Sequence, residues 1–285
     1  MSHSPKALLD SYDILPKKSL GQNFMHDPKA LEKIVAAAEP QSSDTIVEIG
    51  AGTGALPELL ASAANQIFSI EVDQRLRPLL EERFDDTANV YLVFKDILKT
   101  DAAALVGAKD YIVVANAPYY ISSAILWHFL ESRKPPRRMV MTMQYEVAER
   151  VVGVPGAMNL LSIAARFYGM PRIVSKFGPA VFWPRPNIDS AILRIDTHEA
   201  RPAQVPSSEL FFRVVKAGFS MKRKQLKNAL SAGLRIKASA TRDLLRAADI
   251  DPQRRAETLS LAEWARLTQT VAEATPCSDE RLTPP

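Results

Sequence analysis

The chain is nearly without cysteine and has no long apolar run, no internal repeat and no low-complexity block. Its one cysteine, Cys277, stands in a Pro/Ser/Asp-rich tail, which excludes a disulfide framework and cysteine-rich metal sites and suits a reducing cytoplasm. No metal is expected. The longest apolar stretches, such as Tyr111–Ala115 and Met139–Met143, fall far short of the ~18 residues that a membrane span needs. The N-terminus also lacks the charged segment, apolar stretch and small-residue cleavage site of a secretory signal. A soluble, cytoplasmic protein without a membrane partner is therefore expected.

What is present is an ordinary globular composition, 47% hydrophobic and 24% charged over 285 residues, enough for a large domain and a smaller one. The net charge of +4 conceals an asymmetry. Residues 201–273 carry 14 Lys/Arg against 7 Asp/Glu, whereas residues 1–200 carry 21 against 23. A local basic surplus of this kind fits a phosphate-rich partner such as nucleic acid, since each phosphate neutralised releases counterions, and it fits a solvated basic face equally well on charge alone.

Short β-branched runs alternate with helix-like stretches through the first two hundred residues, the signature of a parallel α/β sheet. The pattern predicts strands at Thr45–Ile49, Ile67–Val72, Val90–Phe94, Tyr111–Ala115, Arg138–Thr142, Arg172–Phe177 and Ala191–Ile195. After the Pro-rich segment Arg201–Ser208 the pattern turns helical, with Leu210–Phe219, Lys224–Leu230, Ala240–Ala247 and Leu261–Val271. The expected organisation is a Rossmann-like α/β domain over 1–200, a helical domain over 201–273 and a disordered tail over 274–285.

The first chemical motif is Glu48-Ile-Gly-Ala-Gly-Thr-Gly54, between the first predicted strand and a helix beginning near Ala55. Its glycines allow a tight turn and close approach of backbone to a ligand. Glu71 follows 21 positions after Gly50, at the end of the next strand, where a carboxylate can accept from both ribose hydroxyls. This much also fits a dinucleotide such as NAD. Asp96 and Asn116 close the third and fourth strands, and in an open parallel sheet Gly50, Glu71, Asp96 and Asn116 would share one rim. Asp96 there accepts from an adenine amino group or caps the turn at Ile97-Leu98.

The motif Asn116-Ala-Pro-Tyr119 carries the reaction chemistry. The exocyclic nitrogen of adenine is a poor nucleophile because its lone pair is delocalised into the ring. Acceptors on both N–H groups localise that pair toward a methyl donor: the Asn116 side-chain oxygen, and the backbone carbonyl of Ala117 or Pro118. Pro118 restricts the turn, and Tyr119 can stack on a base taken out of its helix. In Phe182-Trp-Pro-Arg-Pro186, Phe182 is placed either over the opposite face of the base or in the core at the domain edge.

Together with Ser19-Leu-Gly-Gln-Asn-Phe-Met25, Glu71-Val-Asp73, Lys95-Asp96 and Arg223-Lys-Gln-Leu-Lys-Asn228, these motifs are specific. The chain resembles the KsgA (RsmA) small-subunit rRNA adenine dimethyltransferases, relatives of the Erm methyltransferases and of mitochondrial transcription factor B, from about Lys17 to Leu267. Ala117 stands where the family usually has Leu or Ile, and Met25 where it has Leu; neither change removes a chemical group. The resemblance implies a class I fold with a seven-stranded, mostly parallel sheet and S-adenosylmethionine as cofactor. It implies that Gln22, Asn23 and Met25 close over the methionine end, Gly50 and Gly52 approach the cofactor, Glu71 holds the ribose, Asp96 holds the adenine, and Asn116 meets both cofactor and target amine. The implied reaction is dimethylation of two adjacent adenines in the 3′-terminal hairpin loop of 16S rRNA within an assembling 30S subunit, by a monomer. Lys216, Arg223 and Lys227 would share one helical face toward RNA if that region is continuous helix, with Arg133, Lys134, Arg137 and Arg138 extending the patch. The alternatives are an Erm-type enzyme acting on 23S rRNA, which the segment Phe219–Leu230 and the run Arg255–Leu259 disfavour, and a non-catalytic assembly or transcription factor, which the intact Asn116, Pro118 and Tyr119 disfavour.

Overall fold

The structure, a computed structural model, describes residues 4–200 and 203–274. Cys277 and the expected disordered tail lie outside the described residues, apart from Ala274, which ends a helix. Residues 4–149 with Gly169–His198 form one compact unit, and Arg150–Tyr168 with the remaining described residues after His198 form a second.

The first unit is built on seven strands: β1 (Thr45–Ile49), β2 (Gln66–Glu71), β3 (Val90–Phe94), β4 (Tyr111–Ala115), β5 (Arg138–Gln144), β6 (Gly169–Phe177) and β7 (Ser190–Thr197). Their order across the sheet is β3-β2-β1-β4-β5-β7-β6. The first five are mutually parallel, and β7 runs antiparallel to both neighbours. Strands β1 and β4 are buried at every position, which is why both read as unbroken apolar runs rather than as alternating ones. The order reverses between β1 and β4, so the crevice beyond their carboxyl ends is the place where an open α/β sheet accepts a ligand.

The helix Pro28–Ala38 covers part of this sheet. Asp27 caps it by accepting from the Ala30 N–H at 2.8 Å, Pro28 opens it, and Ala30, Leu31, Ile34, Ala37 and Ala38 face the core. Its carboxyl end meets two arginines. Arg194 Nη1 donates to the Ala37 carbonyl at 2.9 Å and Arg138 Nη1 to the Ala38 carbonyl at 2.8 Å. Both guanidiniums also pair with Glu39 and Asp196. Hydrogen bonding to Arg194 holds the Glu39 carboxyl below its ordinary range. At Asp196 burial acts upward, but the bonds from Arg194 and Arg138 prevail and its carboxyl is lowered too. Cations at a helix carboxyl end complement the dipole. This corrects the expectation that Arg138 extends an RNA-binding patch, and Arg137 and Lys134 are likewise engaged, with Asp44 and with the carbonyls of Gly107 and Lys109.

The second unit differs from a single break near residue 200 because it takes in the helix Leu160–Tyr168. Phe167 stacks on Phe211 with centroids 4.4 Å apart, and Tyr168 on Phe212 at 5.6 Å. These contacts bind Leu160–Tyr168 to the helix Ser208–Phe219 rather than to the sheet. The helices Leu226–Leu234, Ala238–Ala247 and Leu261–Ala274 complete the unit, around a fully buried Trp264. Gly218 allows that indole in, since a Cβ there would lie 2.3 Å from the ring. The last helix begins with a reciprocal cap: the Ser260 N–H donates to Glu263 at 2.7 Å and the Glu263 N–H to the Ser260 hydroxyl at 3.3 Å.

Lys216, Arg223 and Lys227 do not share a continuous helix. The chain leaves the helix at Ser220, turns through residues 221–225 and restarts at Leu226. Lys216 and Arg223 are exposed, and Lys227 is half-buried. Among the described residues none of the three is in an ion pair.

Candidate active site

A cavity of about 300 Å³ opens at the carboxyl ends of β1 to β4, within the first unit. Its lining includes Asn23, Met25, Gly50, Gly52, Glu71, Asp96, Asn116 and Pro118, so the predicted cofactor residues converge on one place. Tyr119, Phe182 and the three basic residues of the second unit are not among its walls.

Backbone register brings the two central motifs together. The Asn116 N–H donates to the Ile49 carbonyl at 3.0 Å, which ties the end of β4 to the end of β1. Gly50 has φ +87° there, and a Cβ on it would lie 2.9 Å from the Asn116 carbonyl oxygen. Only glycine permits both that φ and that approach.

Glu71 is 7% exposed and anchors the glycine loop. Its Oε2 accepts from the Gly52 N–H at 3.0 Å, and its Oε1 from the N–H groups of Val72 and Asp73, both at 2.9 Å. Burial nonetheless raises its carboxyl, with three backbone bonds acting the other way. Oε1 already carries two bonds and Oε2 one, so the capacity left for ribose hydroxyls lies mainly at Oε2. Asp96 caps the turn and also stands at the cavity. Its Oδ1 accepts from the Leu98 N–H at 3.0 Å as a turn cap, while the side chain, 41% exposed, lines the cavity. Val72 and Leu98, exposed apolar residues that also line the cavity, flank these carboxylates in sequence.

Glu48 lies under the glycine loop and is fully buried. Ser69 Oγ donates to its Oε2 at 2.7 Å, and Oε1 has no partner among the described residues. Burial pushes its carboxyl up to about 8, with the nearby Glu71 adding to the rise. The group is therefore largely protonated at neutral pH.

The N-terminal segment is strapped across this site by side chains. Gln22 Nε2 donates to Asp73 at 2.8 Å, its Oε1 accepts from the Lys17 N–H at 2.8 Å, and Arg75 pairs with Asp73. Each end of the Gln22 amide thus carries one bond to the protein, and the residue lines the cavity. Asn23 Nδ2 donates to the Gly21 carbonyl at 3.1 Å. Met25 is buried in a two-residue antiparallel pairing of Phe24–Met25 with Phe182–Trp183.

At the Asn116 motif, the Pro118 carbonyl accepts from the Ile121 N–H at 3.2 Å, whereas the Ala117 carbonyl has no such bond among the described residues. The Tyr119 hydroxyl is 2.6 Å from Ser190 Oγ at the start of β7, and burial raises its pKa. Phe182 meets the Tyr119 ring edge-on, with centroids 6.4 Å apart and planes at 89°. It is 2% exposed and packs with Met25 in the core. Perpendicular rings cannot sandwich a base, so the placement of Phe182 over the opposite face is corrected: here it buttresses Tyr119. Two residues escaped the sequence reading. Thr142 of β5 bonds the Asn116 side chain, and its only signal is a lone polar residue among methionines. Tyr120, 65% exposed, stands at the cavity wall.

No helix among the described residues is long and apolar enough to cross a membrane, and no cluster of three His, Cys, Asp or Glu among them could hold a metal.

The family described as ribosomal RNA adenine dimethylase matches residues 15–272. A Ribosomal RNA small subunit methyltransferase A of Dehalococcoides mccartyi (strain CBDB1) is 42% identical over 263 residues, covering 92% of this chain and 90% of that protein. One of the same name from Lysinibacillus sphaericus is 40% identical over 270 residues, covering 91% and 92%. Among solved structures, the 23S rRNA methyltransferase ErmE matches with a TM-score of 0.71 at 26% identity, covering 87% of this chain and 99% of that one. A dimethyladenosine transferase from Plasmodium falciparum matches with a TM-score of 0.74 at 24% identity, covering 86% and 95%. The chain belongs to the ribosomal RNA adenine dimethylase family.

Proposed function

We propose that the protein dimethylates the exocyclic amine of adenines in small-subunit (16S) rRNA, with S-adenosylmethionine as methyl donor. The observation that carries this reading is that Asn116 and Ala117, at the end of β4, line the same cavity as Gly50, Gly52, Glu71 and Asp96; on this reading the Asn116 Oδ1 and the Ala117 carbonyl are the two acceptors for the target amine. Pro118 is the weaker choice for the second acceptor because its carbonyl already serves Ile121.

The site suits the donor on its own chemistry. Gly50 and Gly52 give the cavity a wall of bare backbone, Glu71 Oε2 retains capacity for a ribose hydroxyl, Asp96 can take an adenine amino group through its remaining oxygen, and Asn23 and Met25 also line it. S-adenosylmethionine supplies an activated methyl group on a sulfonium. Asn116 and Ala117 accept from the two N–H groups of the target amine and so turn its lone pair out of conjugation. Tyr119, pinned by Ser190 and braced by Phe182, offers a ring for the extruded base to stack on. A strong general base is unnecessary, since the nitrogen becomes acidic once methylated and releases its proton to water.

The exposed cations Lys216 and Arg223, with Lys227, supply phosphate contacts in the second unit. Every residue assigned to the chemistry comes from one unit of one chain, so a monomer acting on a cytoplasmic pre-30S particle suffices. The relatives' names favour the small subunit over the 23S substrate of the Erm-like reading. The test is incubation of the pure protein with radiolabelled donor and, separately, undermethylated small and large subunits, followed by nucleoside analysis. Dimethyladenosine in small-subunit RNA alone is expected. Label in large-subunit RNA would transfer the assignment to the Erm type, and no label would leave only a binding role.

A further inference from the structure

Strand β5 contains one buried polar side chain, Thr142, 1% exposed between Met141 and Met143. A hydroxyl in such surroundings costs stability unless it is hydrogen-bonded. Its Oγ1 lies 2.7 Å from Asn116 Oδ1 and 3.5 Å from the Ala115 carbonyl. Among the described residues it is the only side chain bonded to the Asn116 carboxamide.

The Thr142 hydroxyl donates to Asn116 Oδ1. The flipped amide would send the Thr142 proton to the Ala115 carbonyl instead, at 3.5 Å, where little bonding remains.

A carboxamide is nearly symmetric in shape, and its terminal torsion is broad and two-fold. Asn116's backbone bond to Ile49 fixes the main chain but not which end of the amide faces the cavity. A flip would replace the acceptor for the target amine by a donor. We infer that Thr142 is a positioning residue: by occupying one lone pair of Asn116 Oδ1 it selects the amide orientation and holds the second lone pair for the adenine amine. This rests on the reading of Asn116 as that acceptor.

Thr142→Val keeps the shape and removes the hydroxyl, and Thr142→Ser restores it. Each is compared with wild type for methyl transfer to undermethylated small subunits, for donor affinity by calorimetry and for thermal midpoint. Loss of one such bond predicts a fall in kcat of about fivefold to tenfold for Thr142→Val. The donor Kd and the KM for RNA stay within about twofold, and Thr142→Ser recovers kcat, if the bond acts on the amide orientation alone. Wild-type kcat in Thr142→Val, or a folded Thr142→Ser no better than Val, overturns the proposal. If Val lowers the thermal midpoint, Thr142→Ala against Thr142→Ser makes the same comparison. Asn116→Ala in the same assay separates the two readings. An inactive Asn116→Ala beside a fully active Thr142→Val removes only the role of Thr142, whereas an active Asn116→Ala removes the acceptor assignment and this inference with it.

Discussion

Replacing Glu48 by Gln should remove a pH dependence of stability that the glycine-loop strand builds into the protein. The Glu48 carboxyl is fully buried, receives one hydrogen bond from Ser69 and has its other oxygen unpartnered. Burial raises it from 4.5 to about 8. A group whose folded value lies above its unfolded one favours the fold in its protonated form. Its contribution is complete below about 4.5, declines as pH rises, and is gone once pH has passed through about 8. One proton of difference corresponds to about 1.4 kcal/mol per pH unit, so wild type should lose about 2–3 kcal/mol between pH ~6 and pH ~8 from this group alone. Glutamine approximates the neutral acid: its oxygen accepts the Ser69 bond, and its uncharged NH2 stands where the acid's hydroxyl does. Urea unfolding of both proteins across this range isolates the effect, because every other titrating group cancels in the difference. Glu48→Gln should match wild type near pH 5 and exceed it progressively above. Parallel curves would mean that Glu48 is ionised in the folded protein, and the burial argument would fail.

Three further outcomes follow from single sites. Gly50→Ala places a Cβ 2.9 Å from the Asn116 carbonyl at φ +87°, so it should cost about 1–3 kcal/mol and lower kcat, read from thermal midpoints and methyl transfer; wild-type values in both would refute the close approach. Phe182→Ala empties a buried aromatic site and should cost about 3–5 kcal/mol. The milder Phe182→Leu should fold and raise the KM for RNA while donor affinity is kept, and a primary loss of donor binding in calorimetry would contradict the bracing of Tyr119. Hydrogen bonding to Arg254 holds the Glu263 carboxyl down to about 2, so its contribution is present above about 4.5 and lost as pH falls toward about 2. Glu263→Gln should therefore show a smaller drop in urea midpoint from pH ~6 to pH ~3 than wild type, and an equal drop would show the cap and ion pair to be inert.

The sheet was legible because its signals are local. Strands β1, β3 and β4 begin and end where the apolar runs do, and in a parallel sheet all their carboxyl ends point to one rim, so Gly50, Glu71, Asp96 and Asn116 could be gathered from sequence order alone. What was not legible depends on partners far away along the chain. Gln22 meets Asp73 51 residues on, and Asn116 meets Thr142 26 residues on. Leu160–Tyr168 joins the second unit through rings at Phe211 and Phe212 that no periodicity within 160–168 encodes. Phe182 had two placements until its pairing with Met25 buried it. The helix break at Ser220 leaves Lys216 on a helix and Arg223 in the turn that follows, which charge counting cannot see. The division is physical: a residue that meets a ligand at a strand end is placed by its own segment, whereas a residue that orients another side chain is placed by cross-strand register. The groups that aim Asn116 and Tyr119, Thr142 and Ser190, belong to the second kind, and substitutions there test the site where sequence alone could not.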